Sequence, residues 1–297
     1  MKKEHVIISH AHCPDGAAAV VVAKSIERHC EYIGGLHDRV DDQILDAARR
    51  ISKGGVLWIV DICCSEGALR EVFKLLMEKN VRLGIYEHHI TRNYLAGMTL
   101  PAGLEGEIIF DLNRCGSRIF YETMKPFHPT RLAGMDEFIS LTNDRDLWIN
   151  ADIRSAEMSA LHSILGEERY IQRFCKNAKV VFSESERVLL DYEKEQLMRR
   201  MHKMLESIRI FTDPQGFRYG IMVGEGKASE ICNAAIHKYS LEYVCMFDFN
   251  SGRASLRSHK EFDCAAFSAA RGGGGHQRAA GFPIPIPTCE LHPASEK

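Results

Sequence analysis

The chain has 297 residues, 38 Lys and Arg against 40 Asp and Glu, and 45% hydrophobic residues. That length suits two domains with real cores, and a net charge of −2 excludes a broadly basic coat for long nucleic acid without excluding a local phosphate cleft. The longest apolar run, residues 17–23, is far short of the ~20 residues of a membrane span, and the opening MKKEHVIISH has an acid and a His where an export signal runs apolar, so a cytoplasmic protein is expected.

Residues 6–9 form a short apolar strand, followed by a His/Cys/Pro/Asp/Gly turn and a helical run over 17–28. VLWIVDI at 56–62 has a buried-strand pattern ending on an acid; a helix-period segment at 66–79, a strand at 81–86, a strand at 108–110 and a helix at 117–124 follow. Alternating strands and helices predict an α/β domain, doubly wound around a mainly parallel sheet, with ligands beyond the carboxyl ends of the strands. Helical periodicity dominates 135–175, and 183–208 reads as one long charged helix. Its apolar stripe suits a homodimer and interdomain packing equally well. Beyond it, strands at 219–223, 243–249 and 253–258 and helices at 228–239 and 264–270 predict a smaller α+β domain. The expected division is 1–182, a linker helix at 183–208, and 209–297.

The ten cysteines include no C-x-x-C pair, and several lie in apolar runs, as Cys232, Cys245 and Cys264 do, so they read as free thiols in a reducing compartment. Polar residues gather instead at the ends of predicted elements. His10-Ala-His12-Cys-Pro-Asp15-Gly follows the first strand, Asp61 ends VLWIVD, Glu87-His88-His89 follows VRLGIY, and Asn143-Asp144-Arg145-Asp146 ends a helical stretch. Imidazole nitrogens and carboxylate oxygens without thiolates suit Mn²⁺, Mg²⁺, Fe²⁺ or Zn²⁺. Carboxylates on neighbouring strand ends can bridge two ions about 3.5–4 Å apart, an arrangement that activates water for in-line phosphoryl displacement. Each cluster alone has a structural reading as a helix cap or an ion pair; four in this order on one parallel sheet do not.

A fifth cluster lies near the C-terminus: Ser-Leu-Arg257-Ser, then Arg271 and four glycines ending Gly273-Gly274-Gly275, His276, Gln277 and Arg278. The glycines permit positive φ and close backbone approach, so their N–H groups can form an anion nest, and Arg257, His276 and Arg278 add charge-assisted contacts to a phosphate. The bland alternative is a flexible surface loop.

The order H-A-H-C-P-D-G, V-D, E-H-H, D-R-D-L-W and G-G-G-G-H-x-x-A-A-G resembles the DHH phosphoesterase family in the version with the DHH-associated C-terminal domain, over nearly the whole chain. The resemblance implies a two-domain, Mn²⁺-dependent hydrolase with two ions and a substrate held between the domains. Family activities span nanoRNases, 3′-phosphoadenosine 5′-phosphate phosphatases, cyclic-dinucleotide phosphodiesterases and single-strand exonucleases. Carried over by motif, His10 and Asp15 are metal ligands, Asp61 bridges both ions, His88 binds the second ion, and His89 lies beside the substrate or behind the ligands, with His88, His89 and Asp61 the catalytic residues. Asp144 is the remaining ligand, with Asp146 the alternative two residues on. Arg257, Gly273, Gly274, Gly275, His276 and Arg278 bind substrate. Two positions depart from the family pattern. The first motif has only Asp15 of the usual two acids, so His12, two residues from His10 on an extended segment, is expected to converge on the ion with it. Glu87 replaces the Asp of D-H-H and reaches one methylene further to orient a His.

The near-neutral charge favours a small nucleotide or short single-stranded oligonucleotide as substrate, and no membrane, over a processive grip on long nucleic acid. Two other readings remain open from sequence alone. A phosphoanhydride hydrolase needs a strongly basic pocket, for which only Arg257, Arg271, Arg278 and Lys260 offer themselves. A non-catalytic nucleotide sensor would explain the two departures.

Overall fold

The computed structural model describes residues 4–259 and 261–284; Lys260 and Cys289 lie outside the described residues. The chain divides into two compact units, Met1–Glu193 and Lys194–Lys297.

In the first unit five strands, β1 (His5–His10), β2 (Glu31–Gly35), β3 (Val56–Val60), β4 (Arg82–Glu87) and β5 (Gly106–Phe110), form a parallel sheet in the order β2-β1-β3-β4-β5. Helices α1 (Pro14–Ile26), α2 (Val40–Arg50) and α3 (Glu66–Glu78) make the crossovers. Side chains alternate between the faces. Ile7, Trp58, Val60 and Tyr86 pack in one core with α1, while Val6, Ile8, Leu57, Ile59, Leu83 and Ile85 pack in another with α2 and α3. The run Ala17–Ala23 is apolar throughout because α1 is covered on all sides: it also meets α4 (Gly116–Met124), α5 (Asp136–Asp146), α6 (Ile153–Leu165) and α7 (Glu167–Lys176). The doubly wound parallel sheet expected from sequence is therefore present. Its strand order reverses between β1 and β3, so the carboxyl ends of these two strands open the crevice where such folds bind ligands.

In this unit β2 and α2 have no counterpart in the sequence reading. β2 is an edge strand, half-buried and ending in two glycines, so it lacks a buried-strand signature. α2 is amphipathic, with Val40, Ile44, Ala47 and Ala48 inside, Asp41 and Asp42 in its first turn and Arg49 and Arg50 in its last, as the helix dipole favours.

The long helix α8 runs Glu184–Ser207. It opens on a capping box: Glu186 N–H donates to Ser183 Oγ at 3.2 Å and Ser183 N–H donates to Glu186 Oε2 at 2.7 Å. Leu190 belongs to the core of the first unit, and Leu197, Met201, Met204 and Leu205 to that of the second.

The second unit is a six-stranded sheet in the order β10-β11-β9-β8-β7-β6, comprising β6 (Arg209–Thr212), β7 (Arg218–Val223), β8 (Tyr243–Asp248), β9 (Arg253–Ser258), β10 (Gly274–His276) and β11 (Ala279–Pro283). Only β7 and β8 pair in parallel, joined by α9 (Ala228–Tyr239); α9 covers one face and α10 (Cys264–Ala269) the other. The smaller α+β domain is thus as expected, but the glycine run is not a loop. Gly274–His276 pairs with Ala279–Gly281 as a short hairpin. A Cβ at Gly273 would lie 2.1 Å from Gly281 O, and Gly275 holds φ +139, so these positions need glycine for packing and backbone conformation.

Candidate metal and phosphate site

Most chemistry-bearing residues of the first unit sit where a strand gives way to the next element, and Asp146 ends α5. β1 ends on His10, the chain turns through His12 at φ +59, and α1 begins at Pro14 with Cys13 as its N-cap. Gly16 lets α1 start against β1, because a Cβ there would lie 2.0 Å from His10 O. Asp15, in the first turn of α1 and 0% exposed, accepts from Ser117 N at 3.1 Å and Ser117 Oγ at 2.5 Å, which fixes it to the start of α4. Asp61 follows β3 with φ +61, a left-handed conformation that costs an L-residue about 1–2 kcal/mol. Gly116 makes this turn possible: a Cβ at Gly116 would lie 2.8 Å from both N and Cα of Asp61.

Asp61 is the centre of the cluster. Its Oδ1 lies 3.1 Å from His88 Nε2 and its Oδ2 lies 3.6 Å from His10 Nδ1, so its two oxygens face opposite sides. His88 Nε2 is also 3.6 Å from Asp146 Oδ2. Three sets of potential ligand atoms, each within 4.8 Å of one another, result: His10, Cys13 and Asp61; Asp61, His88 and His89; and Asp15, His88 and Asp146. Among the described residues, His10 Nδ1, Asp61 Oδ2 and Asp146 Oδ2 are buried atoms without a hydrogen-bond partner. Orphaned acceptors of this kind are expensive unless a proton or cation meets them.

The electrostatics point the same way. Burial, followed by the charges of Asp61 and Asp146, pushes Asp15 up to about 8. Burial likewise raises Asp146, helped by Asp61. Asp61 goes the other way: burial opposes its charge, but the nearby imidazoles of His10, His88 and His89 hold it well below the carboxylate range. Burial pulls His88 down, yet Asp61 and Asp146 win and carry it to about 10. Three carboxylates in so small a volume cannot all stay ionised on protein contacts alone. A pair of dications satisfies them, and the donor set of carboxylate oxygens and imidazole nitrogens fits such ions.

Glu87 serves the role expected of the Asp it replaces. Its Oε1 accepts from the backbone N–H of His88 at 2.8 Å and of His89 at 2.9 Å, and lies 2.7 Å from His89 Nδ1. Although burial works against it, this contact raises His89 and lets its Nδ1–H donate to the carboxylate.

Three placements differ from the sequence expectations. Asp144 does not join the cluster: its carboxylate accepts from Ala151 N at 2.9 Å and Asp152 N at 3.4 Å, closing the turn after α5, and Asp146 faces His88 instead. His12 does not converge with His10, because its positive φ breaks the extended alternation; it is exposed and its N–H donates to Glu167 Oε1 at 2.9 Å. The thiol of Cys13 stands there instead, so the cluster is not free of sulfur. His37, beyond the edge strand β2, was missed. Its ring lies 4.5 Å from that of His10 and 6.4 Å from that of His89, and burial plus these histidines and Arg92 lowers it to about 4. A lone His in a segment without assigned elements carries no sequence signal; only the fold brings it here.

In the second unit, Arg257 on β9 is held by Ser229 at the start of α9, with Nε at 3.1 Å and a terminal nitrogen at 2.8 Å from Ser229 Oγ. The glycine run does not offer an open nest: Gly272 N–H donates to Ala269 O at 3.1 Å and Gly273 N–H to Ser268 O at 2.9 Å, which finishes α10. Gly274 and Gly275 lie in β10, His276 ends it, and Arg278 is exposed in the hairpin turn. Arg271 stacks on Phe267, its guanidinium carbon 3.5 Å from the ring centre. Among the described residues no helix is long and apolar enough to cross a membrane.

No family model matches the chain. It is 26% identical to Oligoribonuclease NrnB of Bacillus subtilis (strain 168), a match covering 93% of this chain and 72% of that protein. Among solved structures, a DHH domain described as a member of an S1p family of ribosomal proteins superposes with a TM-score of 0.61 at 13% identity, over 95% of this chain and 82% of that one. A pGpG-specific phosphodiesterase, PggH from Vibrio cholerae, superposes with a TM-score of 0.53 at 13% identity, over 95% and 94% of the two chains. The chain is a homologue of the oligoribonuclease and has the DHH-domain fold, in agreement with the resemblance carried by its motifs.

Proposed function

We propose that this protein is a metal-dependent phosphoesterase that hydrolyses short oligonucleotides or small nucleotides. The observation that carries the reading is the buried Asp61, whose two oxygens face separate ligand groups while one of them lacks a partner. Kinship with an oligoribonuclease supports a short nucleic-acid substrate, and the chain's near-neutral charge suits one.

On this reading His10, Asp15, Asp61, His88 and Asp146 hold two divalent cations, manganese being the ion expected from the family resemblance. Bound there, the cations polarise phosphoryl oxygens and make water a nucleophile near neutral pH. The protein's own residues supply the rest. Asp61 joins neighbouring ligand groups, and the start of α4 holds Asp15 in place beside His88 and Asp146. Glu87 orients the His89 ring, which leaves its other nitrogen to hydrogen-bond a phosphate oxygen. In the second unit, Arg257, steadied by Ser229, offers a cationic contact for a phosphate. A panel of 5′-phosphorylated dinucleotides, 3′-phosphoadenosine 5′-phosphate, cyclic dinucleotides and pyrophosphate, assayed with Mn²⁺, tests the reading. Preference for dinucleotides supports it, whereas exclusive hydrolysis of pyrophosphate contradicts it.

A further inference from the structure

We propose that Cys13 is a metal ligand, its thiolate completing a site with His10 and Asp61 and replacing the acid missing from the first motif. The inference rests on the two-metal reading above and concerns which atoms hold one of the ions.

Two features place the sulfur there. Cys13 is the N-cap of α1, and its Sγ falls within 4.8 Å of ligand atoms of both His10 and Asp61. The facing atoms are themselves unsatisfied: Asp61 is 1% exposed with Oδ2 lacking a partner, and His10 Nδ1, 3.6 Å from it, lacks one too. A protonated thiol is too weak a donor to meet these needs; a cation bound by all three groups meets them together. Metal–nitrogen and metal–sulfur bonds of about 2.0–2.3 Å bring such ligands within this spacing after small side-chain movements. Burial and the charges of Asp61, Asp146 and Asp15 keep the free thiol protonated, and a bound cation offsets them as the sulfur releases its proton to solvent. His12, the other candidate, points elsewhere because its φ of +59 turns it to the surface.

The chemical consequence is asymmetry. Asp15, His88 and Asp146 offer oxygen and nitrogen only, a set suited to Mn²⁺ or Mg²⁺. His10, Cys13 and Asp61 offer nitrogen, sulfur and oxygen, which selects a softer ion such as Zn²⁺, Fe²⁺ or Co²⁺.

The test is a titration of the metal-stripped full chain with Co²⁺, followed by near-ultraviolet absorption for a thiolate-to-cobalt charge-transfer band and by counting of bound ions. The expected result is two bound ions and a band that disappears in Cys13→Ser but persists in Cys175→Ser, whose thiol is exposed and belongs to none of the three ligand groups. Cys13→Asp, which restores a carboxylate and so guards against a folding defect in the serine variant, is expected to lose the band, keep two ions, and shift the ratio of Zn²⁺ to Mn²⁺ affinity at least about tenfold toward Mn²⁺. Two bound ions with no band, or a band unchanged in Cys13→Ser, overturn the role of Cys13 and leave the two-metal reading intact. Failure of the wild type to bind Co²⁺ at all overturns both.

Discussion

Asp144 and Asp146 are two residues apart on one helix, and exchanging each for Asn separates a cluster residue from a structural one. Asp146 Oδ2 lies 3.6 Å from His88 Nε2 and has no hydrogen-bond partner, whereas both oxygens of Asp144 are engaged by the backbone of the following turn. Asp146→Asn removes one of three ligands in its group, and a loss of at least about 100-fold in metal affinity, close to 3 kcal/mol, follows. Its effect on the metal-free fold is small. At an effective dielectric of 20, contacts of roughly 4 Å are worth about 4 kcal/mol each, and here attraction to His88 opposes repulsion from neighbouring carboxylates. Asp144→Asn reverses the pattern. It weakens two charge-assisted bonds at a cost of about 1–2 kcal/mol, at about 2–4 °C in Tm per kcal/mol, and leaves metal affinity near wild type. Calorimetric metal titration and thermal unfolding of the metal-free proteins read both quantities. Loss of metal in Asp144→Asn with retention in Asp146→Asn would refute the assignment.

Other perturbations report on the supporting structure. Gly16→Ala places a methyl 2.0 Å from His10 O and is expected to destabilise the fold by about 3 kcal/mol and to lower metal affinity, while Gly67→Ala, with open space around it, is neutral or stabilises by up to about 1 kcal/mol in denaturant titration. Glu186 is held below its ordinary range: burial opposes this, but Arg173 at 3.0 Å and Ser183 outweigh it. A depressed carboxylate contributes stability above its unfolded value near 4.3 that is lost as pH falls through the folded value; Glu186→Gln should therefore cost about 1–2 kcal/mol at pH 7 in urea unfolding and much less at pH 3. Arg257→Met is expected to raise KM for a 5′-phosphorylated dinucleotide at least about tenfold, with bound metal unchanged.

The residues show why some of this was legible in advance. β3 and β4 declared themselves because VLWIV and most of RLGIYE are buried on both faces, and a sheet covered by helices needs such runs. β2 and the β10–β11 hairpin did not, since glycines demanded by close packing erase the apolar signal of a strand. Asp15, Asp61 and His88 were readable from their places at the ends of elements. Asp146 was not separable from Asp144, because residues two apart on a helix point about 200° apart and only the helix's docking decides which faces the sheet. Cys13 rather than His12 faces His10 and Asp61 for a comparable reason: the turn passes through the left-handed His12, which breaks the extended alternation.

The most direct test of the central claim is release of mononucleotides from a 5′-phosphorylated dinucleotide by protein stripped with a chelator and then reloaded with divalent metal. The account predicts no release from the stripped protein, recovery on reloading, and a loss of at least about 100-fold in Asp61→Asn whatever metal is supplied. Undiminished release without metal, or wild-type rates in Asp61→Asn, would contradict it.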